Sequence, residues 1–146
     1  MTNMDNLGML TGRIETKNLA GGIFKNSDGS RKMRFTLAVQ DNFMKKNGEP
    51  SKQDIPVEAF IPASVVKTDE NGNETYGIYS TLRTGDLVTI QFHLEDNNYE
   101  KDGQMVYGGV IVRIDQIKHR EPKSVSDARA AQKSAAAAVA PAVAEA

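Results

Sequence analysis

The chain has 146 residues, of which 39% are hydrophobic and 25% charged, the balance of an ordinary globular domain that is large enough to bury a core. Its 18 Lys and Arg residues against 19 Asp and Glu residues give a formal net charge of -1, so the overall charge gives no argument for a nucleic-acid partner. The absence of cysteine excludes disulfides and cysteine-ligated metal sites.

Alternation of apolar and polar residues predicts three strands in the first part of the chain. They run over residues 7–14, 32–41 and 55–61, with glycine-rich turn chemistry after the first and the Asn47-Gly48 pair at a hairpin tip between the other two. Alternate residues of the second and third strands are apolar and are predicted to face a core: Met33, Phe35, Leu37, Val39, Val57, Ala59 and Ile61.

Two further strands are predicted in the second part, over residues 87–95 and 105–117, with a hairpin tip at Asp102-Gly103 between them. The connection that precedes them, residues 63–84, does not alternate and is predicted to be irregular, with a short helix over residues 79–83. The apolar residues of alternate parity are again predicted to face inward: Val88, Ile90, Phe92, Leu94, Val110, Val112 and Ile114.

The predicted elements are therefore five strands, each with one apolar face. Closing such a sheet into a small barrel removes its unpaired edges. Three strands, an irregular or helical connection and two more strands follow the order of the OB-fold, a five-stranded Greek-key barrel. The sequence thus predicts an all-β OB-fold domain over residues 1–122.

Residues 123–146 differ in composition, being rich in alanine and without an aromatic residue. A segment with so little apolar bulk cannot offset its ordering entropy by burial, which predicts a flexible tail. No run of about 18 apolar residues occurs, so no membrane span is expected. The first residues lack the basic start and apolar stretch of a secretory signal, and we expect a cytoplasmic protein.

Four segments carry a resemblance to a known family: LGMLTGRIE, MRFTLAVQDNF, TGDLVTI and NNYEKDGQMVYGGVIV. In this order, over residues 6–121, they resemble bacterial single-stranded DNA-binding proteins. The resemblance implies an OB-fold that coats single-stranded DNA with little sequence preference during replication, repair or transfer. It also implies self-association, as a dimer, as a tetramer or along DNA.

The chain departs from the family pattern at several places. It has no tryptophan, and Asp54 stands where the family commonly has a stacking tryptophan. The connection between the third and fourth strands is longer, around residues 67–77, and the chain ends in AVAEA instead of an acidic tip followed by apolar residues. Recruitment of other proteins through such a tip is therefore not predicted, and the departures resemble a divergent copy of the kind carried by plasmids or conjugative elements.

Binding of single strands needs planar groups on which bases stack and cations that follow the phosphates. Phe60 is a candidate stacking residue because its parity places it on the polar face of the third strand. The resemblance adds Phe43, beside two lysines, and Tyr99, near Lys101. Tyr107 has the outer-face parity of the last strand. Packing against a loop or a neighbouring subunit is the alternative for all four.

Basic residues are interleaved with these aromatics, which favours a nucleic-acid surface over a merely solvated one. The candidates for phosphate contacts are Arg13, Arg34, Lys45, Lys46, Lys101 and Arg113.

The sequence shows no catalytic constellation and no glycine-rich phosphate-binding motif. Two histidines without cysteine also make a poor zinc site. No catalytic residue, cofactor or metal is therefore predicted, and the chain is not expected to be an enzyme. Two alternatives stay open: an OB-fold module that binds protein partners, and a binder of RNA or duplex DNA.

Overall fold

The computed structural model describes residues 5–144, except for the side chains of residues 42, 43 and 136–144. The described strands are β1 (Gly8–Ile14), β2 (Ile23–Lys25), β3 (Arg31–Met44), β4 (Pro50–Ile61), β5 (Lys67–Thr68), β6 (Glu74–Thr75), β7 (Leu87–Asp96), β8 (Tyr99–Lys101), β9 (Gln104–Val106) and β10 (Val110–His119). The described helices are two 3₁₀ helices, Ala20–Gly22 and Gly77–Thr81, and the α-helix α1 (Lys123–Ala144).

The main sheet closes into a five-stranded barrel. Its strands follow the order β1-β7-β10-β4-β3, with β2 added beside β3, and β1 also pairs with β3. That closing contact is short, joining Arg13 to Ala38 and Ile14 to Leu37. Only the β4–β10 pair among these is parallel. The barrel has the strand order of the OB-fold, which confirms the predicted fold class.

The inward-facing residues of the five strands fill the barrel and form its core, as their alternation predicts. A register shift in β10 between Ile114 and Gln116 resets the alternation, so that both Ile114 and Ile117 face inward. The buried apolar residues are Ile14, Met33, Phe35, Leu37, Val57, Ala59, Ile61, Leu82, Val88, Ile90, Ile114 and Ile117.

Two residues predicted to face the core do not. Leu94 and Val110 are 47% and 68% exposed, whereas Val112, which pairs with Leu94, packs partly against the core. Leu94 and Val110 lie where β7 and β10 extend past the end of the barrel. The alternation continues along these strands after the core has ended, so their parity no longer indicates burial.

The prediction of one continuous last strand over residues 105–117 is wrong. Residues 107–109 separate β9 from β10, and β8 and β9 form a small hairpin of their own. Its tip is the predicted one, because Asp102 and Gly103 both have positive φ, 54° and 77°, as a two-residue hairpin turn of this type requires. Gly109 has a φ of 90°, a conformation that favours glycine and ends the pairing.

The long connection between β4 and β7 contains the β5–β6 hairpin and the 3₁₀ helix Gly77–Thr81, which confirms a short helical or irregular connection. The hairpin is attached to the barrel by Glu74, which accepts a hydrogen bond from Arg31 at 2.8 Å and one from the Tyr76 hydroxyl. Arg31 is almost fully buried. The insertion is therefore anchored at the start of β3.

Helix α1 begins after the barrel and contacts it in its first two turns. The Ser126 hydroxyl donates to Asp86 at 2.7 Å, and Arg129 pairs with both Asp86 and Glu121. The flexibility predicted for residues 123–146, and the boundary after residue 122, stay predictions. Within the described residues, no helix is both long enough and apolar enough to cross a membrane.

Candidate nucleic-acid interface

The outer face of strands β2, β3 and β4 carries two exposed aromatic rings. In the strand register, Phe24 of β2 lies opposite Lys32 of β3, and Lys32 lies opposite Phe60 of β4. Directly paired residues point to the same side of a sheet, and two strand spacings put the two rings about 10 Å apart. Phe24 is 49% exposed and Phe60 51% exposed. Both rings are therefore open to solvent with a lysine between them.

The next row on this face is ionic. Arg34 of β3 lies opposite Glu58 of β4, Glu58 lies beside Arg113 of β10, and Arg113 lies opposite His93 of β7. Glu58 is only 4% exposed although it points outward. We call Lys32, Arg34, Glu58 and Arg113 the Glu58 cluster, because the three cations all approach this one carboxylate.

We call Phe24, Lys32 and Phe60 the aromatic row. Arg34 joins it to the ionic row. Its guanidinium carbon lies 5.9 Å from the centre of the Phe24 ring, which is within the range of a cation–π contact. Phe24 is a residue that sequence reasoning missed. The available signal is that Phe24 is the one aromatic residue in the turn-rich segment of residues 15–30.

The structure places the four aromatic candidates at different sites. Phe60 lies on the outer face as predicted. Tyr99 is half-exposed in β8, within the small β8–β9 hairpin. Tyr107 is largely exposed, but it lies in the break between β9 and β10 and not on a strand face, which corrects its predicted position. Phe43 belongs to β3, and its side chain lies outside the described part of the structure.

The six basic candidates fall into three groups. Arg34 and Arg113 belong to the Glu58 cluster, where Arg113 is the less exposed of the two because Glu58 and Glu95 both bind it. Arg13 lies elsewhere: it pairs with Ala38, four residues and about 13 Å along β3 from Arg34. The third group sits in the two hairpins. Its exposed members are Lys45 and Lys46, in the turn between β3 and β4, and Lys101, in β8.

Arg13 also has structural partners. It donates to the carbonyl oxygen of Gly85 at 3.0 Å and pairs with Glu121 at 2.9 Å. A phosphate would have to compete with both contacts, so Arg34 is the better placed of the two arginines.

A groove of about 400 Å³ extends the outer face beyond Arg34 and Glu58. Thr36 and Pro56, the next outward pair of β3 and β4, line it together with Ile111 of β10. The ionic row, and not the aromatic row, is therefore bordered by a concave surface with both polar and apolar walls, a shape that could accommodate an unpaired base.

His93 ends the ionic row between two carboxylates. Its Nδ1 lies 2.8 Å from Asp115, and its Nε2 is hydrogen-bonded to Glu95. Burial lowers the pKa of His93, but the hydrogen bonds to Glu95 and Asp115 outweigh burial, so that its pKa is raised. Among the residues that the structure describes, no group of three or more potential ligands could hold a metal ion.

The raised pKa of His93 predicts a pH dependence of stability. Its imidazolium contacts contribute stability that is fully present below the unfolded pKa of 6.5 and is lost as the pH rises through the folded pKa. Urea unfolding between about pH 6 and pH 8 is therefore expected to show a larger loss of stability in the native chain than in the variant His93→Gln. Parallel curves for the two proteins would show that the contacts with Glu95 and Asp115 do not stabilise the fold.

Comparison with family models finds no match, and no curated protein matches the chain significantly. Solved structures do match. The wild-type single-stranded DNA-binding protein from Thermus aquaticus is 21% identical, with a TM-score of 0.54 over 82% of this chain and 52% of that one. A deletion mutant of it gives 20% identity and a TM-score of 0.53 over 80% and 50% of the two chains. The chain thus spans about half the length of these structures, and the likeness shows a shared fold.

Proposed function

We propose that this protein is a non-enzymatic member of the bacterial single-stranded DNA-binding family, and that it coats single strands with little sequence preference. The observation that carries this proposal is the aromatic row on the outer face, in which Phe24 and Phe60 flank Lys32. The Thermus aquaticus protein that shares the fold is named for the same activity, which supports the proposal.

The stacking part of the proposal rests on the exposure of the two rings. Phe24 and Phe60 each leave about half of their surface in water, and neither belongs to the barrel core. Every base has a flat face, so stacking on Phe24 and Phe60 would be tolerant of sequence. An exposed ring beside cations is the arrangement that a single strand needs, because its bases are not covered by a complementary strand.

The phosphate part rests on where the cations lie and not on their total. The chain carries a net charge of -1, but Lys32 and Arg34 lie directly between and beside the two rings. A base stacked on either ring would bring its phosphate within reach of these side chains. Each phosphate contact releases counterions, so binding would weaken as the salt concentration rises.

The two hairpins extend the proposed surface. Lys45 and Lys46, next to Phe43, lie at the β3–β4 tip, and Tyr99 and Lys101 lie in β8. Both segments combine an aromatic residue with lysine, which is the composition of surfaces that bind single strands. We propose that Tyr107 and Arg13 contribute at the margins of this surface, and that Arg113 contributes through the Glu58 cluster.

We propose a biological role in the handling of single-stranded DNA. Coating of single strands would serve DNA replication, repair or the transfer of a plasmid or conjugative element. The proposed location is the cytoplasm, where such strands arise. Self-association, as a dimer, as a tetramer or along DNA, would let neighbouring copies cover a continuous strand.

The test is fluorescence-anisotropy titration of labelled oligo-dT across a salt series, with an unlabelled duplex of equal length as competitor. We expect tight binding at low salt, a linear fall of log K with log salt, and little displacement by the duplex. The duplex hides its base faces, so the aromatic row could not stack on them.

Two results would point elsewhere. Equal competition by the duplex would mean that phosphate contacts dominate and that a general nucleic-acid binder is the better description. Absence of binding at low salt would leave the OB-fold and favour a module that binds protein partners.

A further inference from the structure

Glu58 is an unexpected residue on a surface proposed to bind a polyanion. It lies in the ionic row directly beside the aromatic row, opposite Arg34 in the pairing of β3 with β4. Its outward side chain is nevertheless almost fully covered. A buried carboxylate must be compensated by cations or hydrogen bonds, and the structure shows which ones compensate it.

Three cations from β3 and β10, the strands on either side of β4, share the Glu58 carboxylate. Lys32 Nζ lies 3.3 Å from Oε1, and Arg113 Nη1 lies 3.0 Å from the same oxygen. The Nε of Arg34 lies 3.3 Å from Oε2. Without the carboxylate, three like charges would face one another at short range, and the two on β3 would turn away into solvent.

The way in which Glu58 binds Arg34 leaves the arginine able to bind something else. Only the Nε edge faces the carboxylate, and among the described residues the two Nη nitrogens of Arg34 have no hydrogen-bond partner. The same guanidinium lies against the Phe24 ring. Arg34 is thus held from two sides, with its terminal donors open to solvent beside a stacking ring.

We propose that Glu58 is a positioning residue for single-stranded DNA: its carboxylate holds Arg34 and Lys32 beside Phe24 and Phe60, where they meet the phosphates of stacked bases. This inference rests on the proposed function. It goes further by assigning to a buried anion a favourable part in the binding of a polyanion. Cations that are ordered before binding cost less entropy when the phosphate arrives.

The inference makes a prediction opposite in sign to that of simple charge counting. If Glu58 only reduced the positive potential, Glu58→Gln would tighten DNA binding and steepen its salt dependence. If Glu58 positions the cations, the same variant is expected to bind oligo-dT about three- to tenfold more weakly, the cost of ordering one or two released side chains. Its slope of log K against log salt is expected to become shallower by about one, because fewer phosphates are engaged together.

The matched control is Glu95→Gln. Glu95 lies in β7, beside the same ionic row, and its replacement changes the charge by the same amount, but it touches Arg113 and His93 and neither cation of β3. The control is expected to bind oligo-dT as tightly as the native chain or slightly more tightly. If the native protein binds oligo-dT and the Glu58→Gln variant binds it as tightly as the Glu95→Gln variant, the positioning role of Glu58 would be overturned. The proposed function would be unaffected.

A second measurement needs only the native protein and so does not depend on the folding of a variant. The Nε proton of Arg34 is expected to give a sharp NMR signal that exchanges slowly with water before DNA is added and persists afterwards. A signal that appears only with DNA would mean that DNA orders Arg34, which overturns the inference. A native chain that fails to bind oligo-dT at low salt would overturn the proposed function itself, and this inference with it.

Discussion

Replacement of both Phe24 and Phe60 by alanine is expected to weaken oligo-dT binding by at least about 2 kcal/mol, roughly 30-fold, because stacking contributes about 1–3 kcal/mol per base. Both rings lie outside the barrel core, so the variant is expected to fold. The measurement is anisotropy titration at fixed salt, with circular dichroism to verify the fold. The slope against salt concentration should change little, since no cation is removed and Glu58 still holds Arg34.

The control for this variant is Met9→Ala. Met9 is an apolar side chain that is more exposed than the two phenylalanines, but it lies in the part of β1 that pairs with β7, opposite Gln91. Its loss is expected to leave DNA affinity unchanged. A folded Phe24→Ala, Phe60→Ala variant that binds as well as the native chain would remove the outer face from the interface. Phe43→Ala combined with Tyr99→Ala would then test the hairpins.

The barrel strands could be predicted from the sequence because the alternation that identifies them lies within each strand. The alternation in β3, β4 and β7 identifies the inward residues directly, since side chains alternate between the two faces of a strand. Phe60 could be identified for the same reason, because it breaks the apolar parity of Val57 and Ala59. One of the two phenylalanines of the aromatic row could thus be predicted from the sequence.

Phe24 could not be identified in this way. Strand β2 has three residues, which is too few for an alternation to be recognised. The importance of Phe24 comes from its pairing with Lys32 and its contact with Arg34, on another strand. Such cross-strand neighbours follow from the register and not from the order of residues along the chain.

The break at residues 107–109 was hidden for a different reason. Val106 and Val110 have the same parity, so the apolar alternation runs through the break as if the strand were continuous. The signal that remained was Gly108-Gly109, which marks the point where the chain leaves one hairpin and begins β10.

Buried charges were the least predictable feature. Parity placed Glu58 on the polar face, and its burial arises from cations that belong to other strands. Asp86 lies in the turn before β7 and is buried by residues of α1, about 40 positions later in the chain. Sequence alone gave no indication that either carboxylate is enclosed.

Asp86→Ala is expected to reduce the free energy of unfolding by at least about 2 kcal/mol, because hydrogen bonds to a charged group contribute about 1.5–3 kcal/mol and the partly buried donors are left without their acceptor. Asp86 is 2% exposed. Its Oδ1 accepts hydrogen bonds from the Ser126 hydroxyl at 2.7 Å and from Arg129 at 3.2 Å, and its Oδ2 accepts one from the backbone N–H of Arg83 at 3.0 Å. Urea unfolding measures the loss.

The matched control is Asp127→Ala, one residue after Ser126 on α1. Asp127 pairs with Arg83, but both side chains are about half-exposed, and an exposed pair contributes below about 1 kcal/mol. Hydrogen exchange gives a second readout: loss of Asp86 should speed exchange of the amides in the first turns of α1, because Ser126 and Arg129 lose the anchor that holds the helix to the barrel. Equal stability of the two variants would mean that α1 contributes no more than its exposed contacts, and that the barrel does not depend on its attachment.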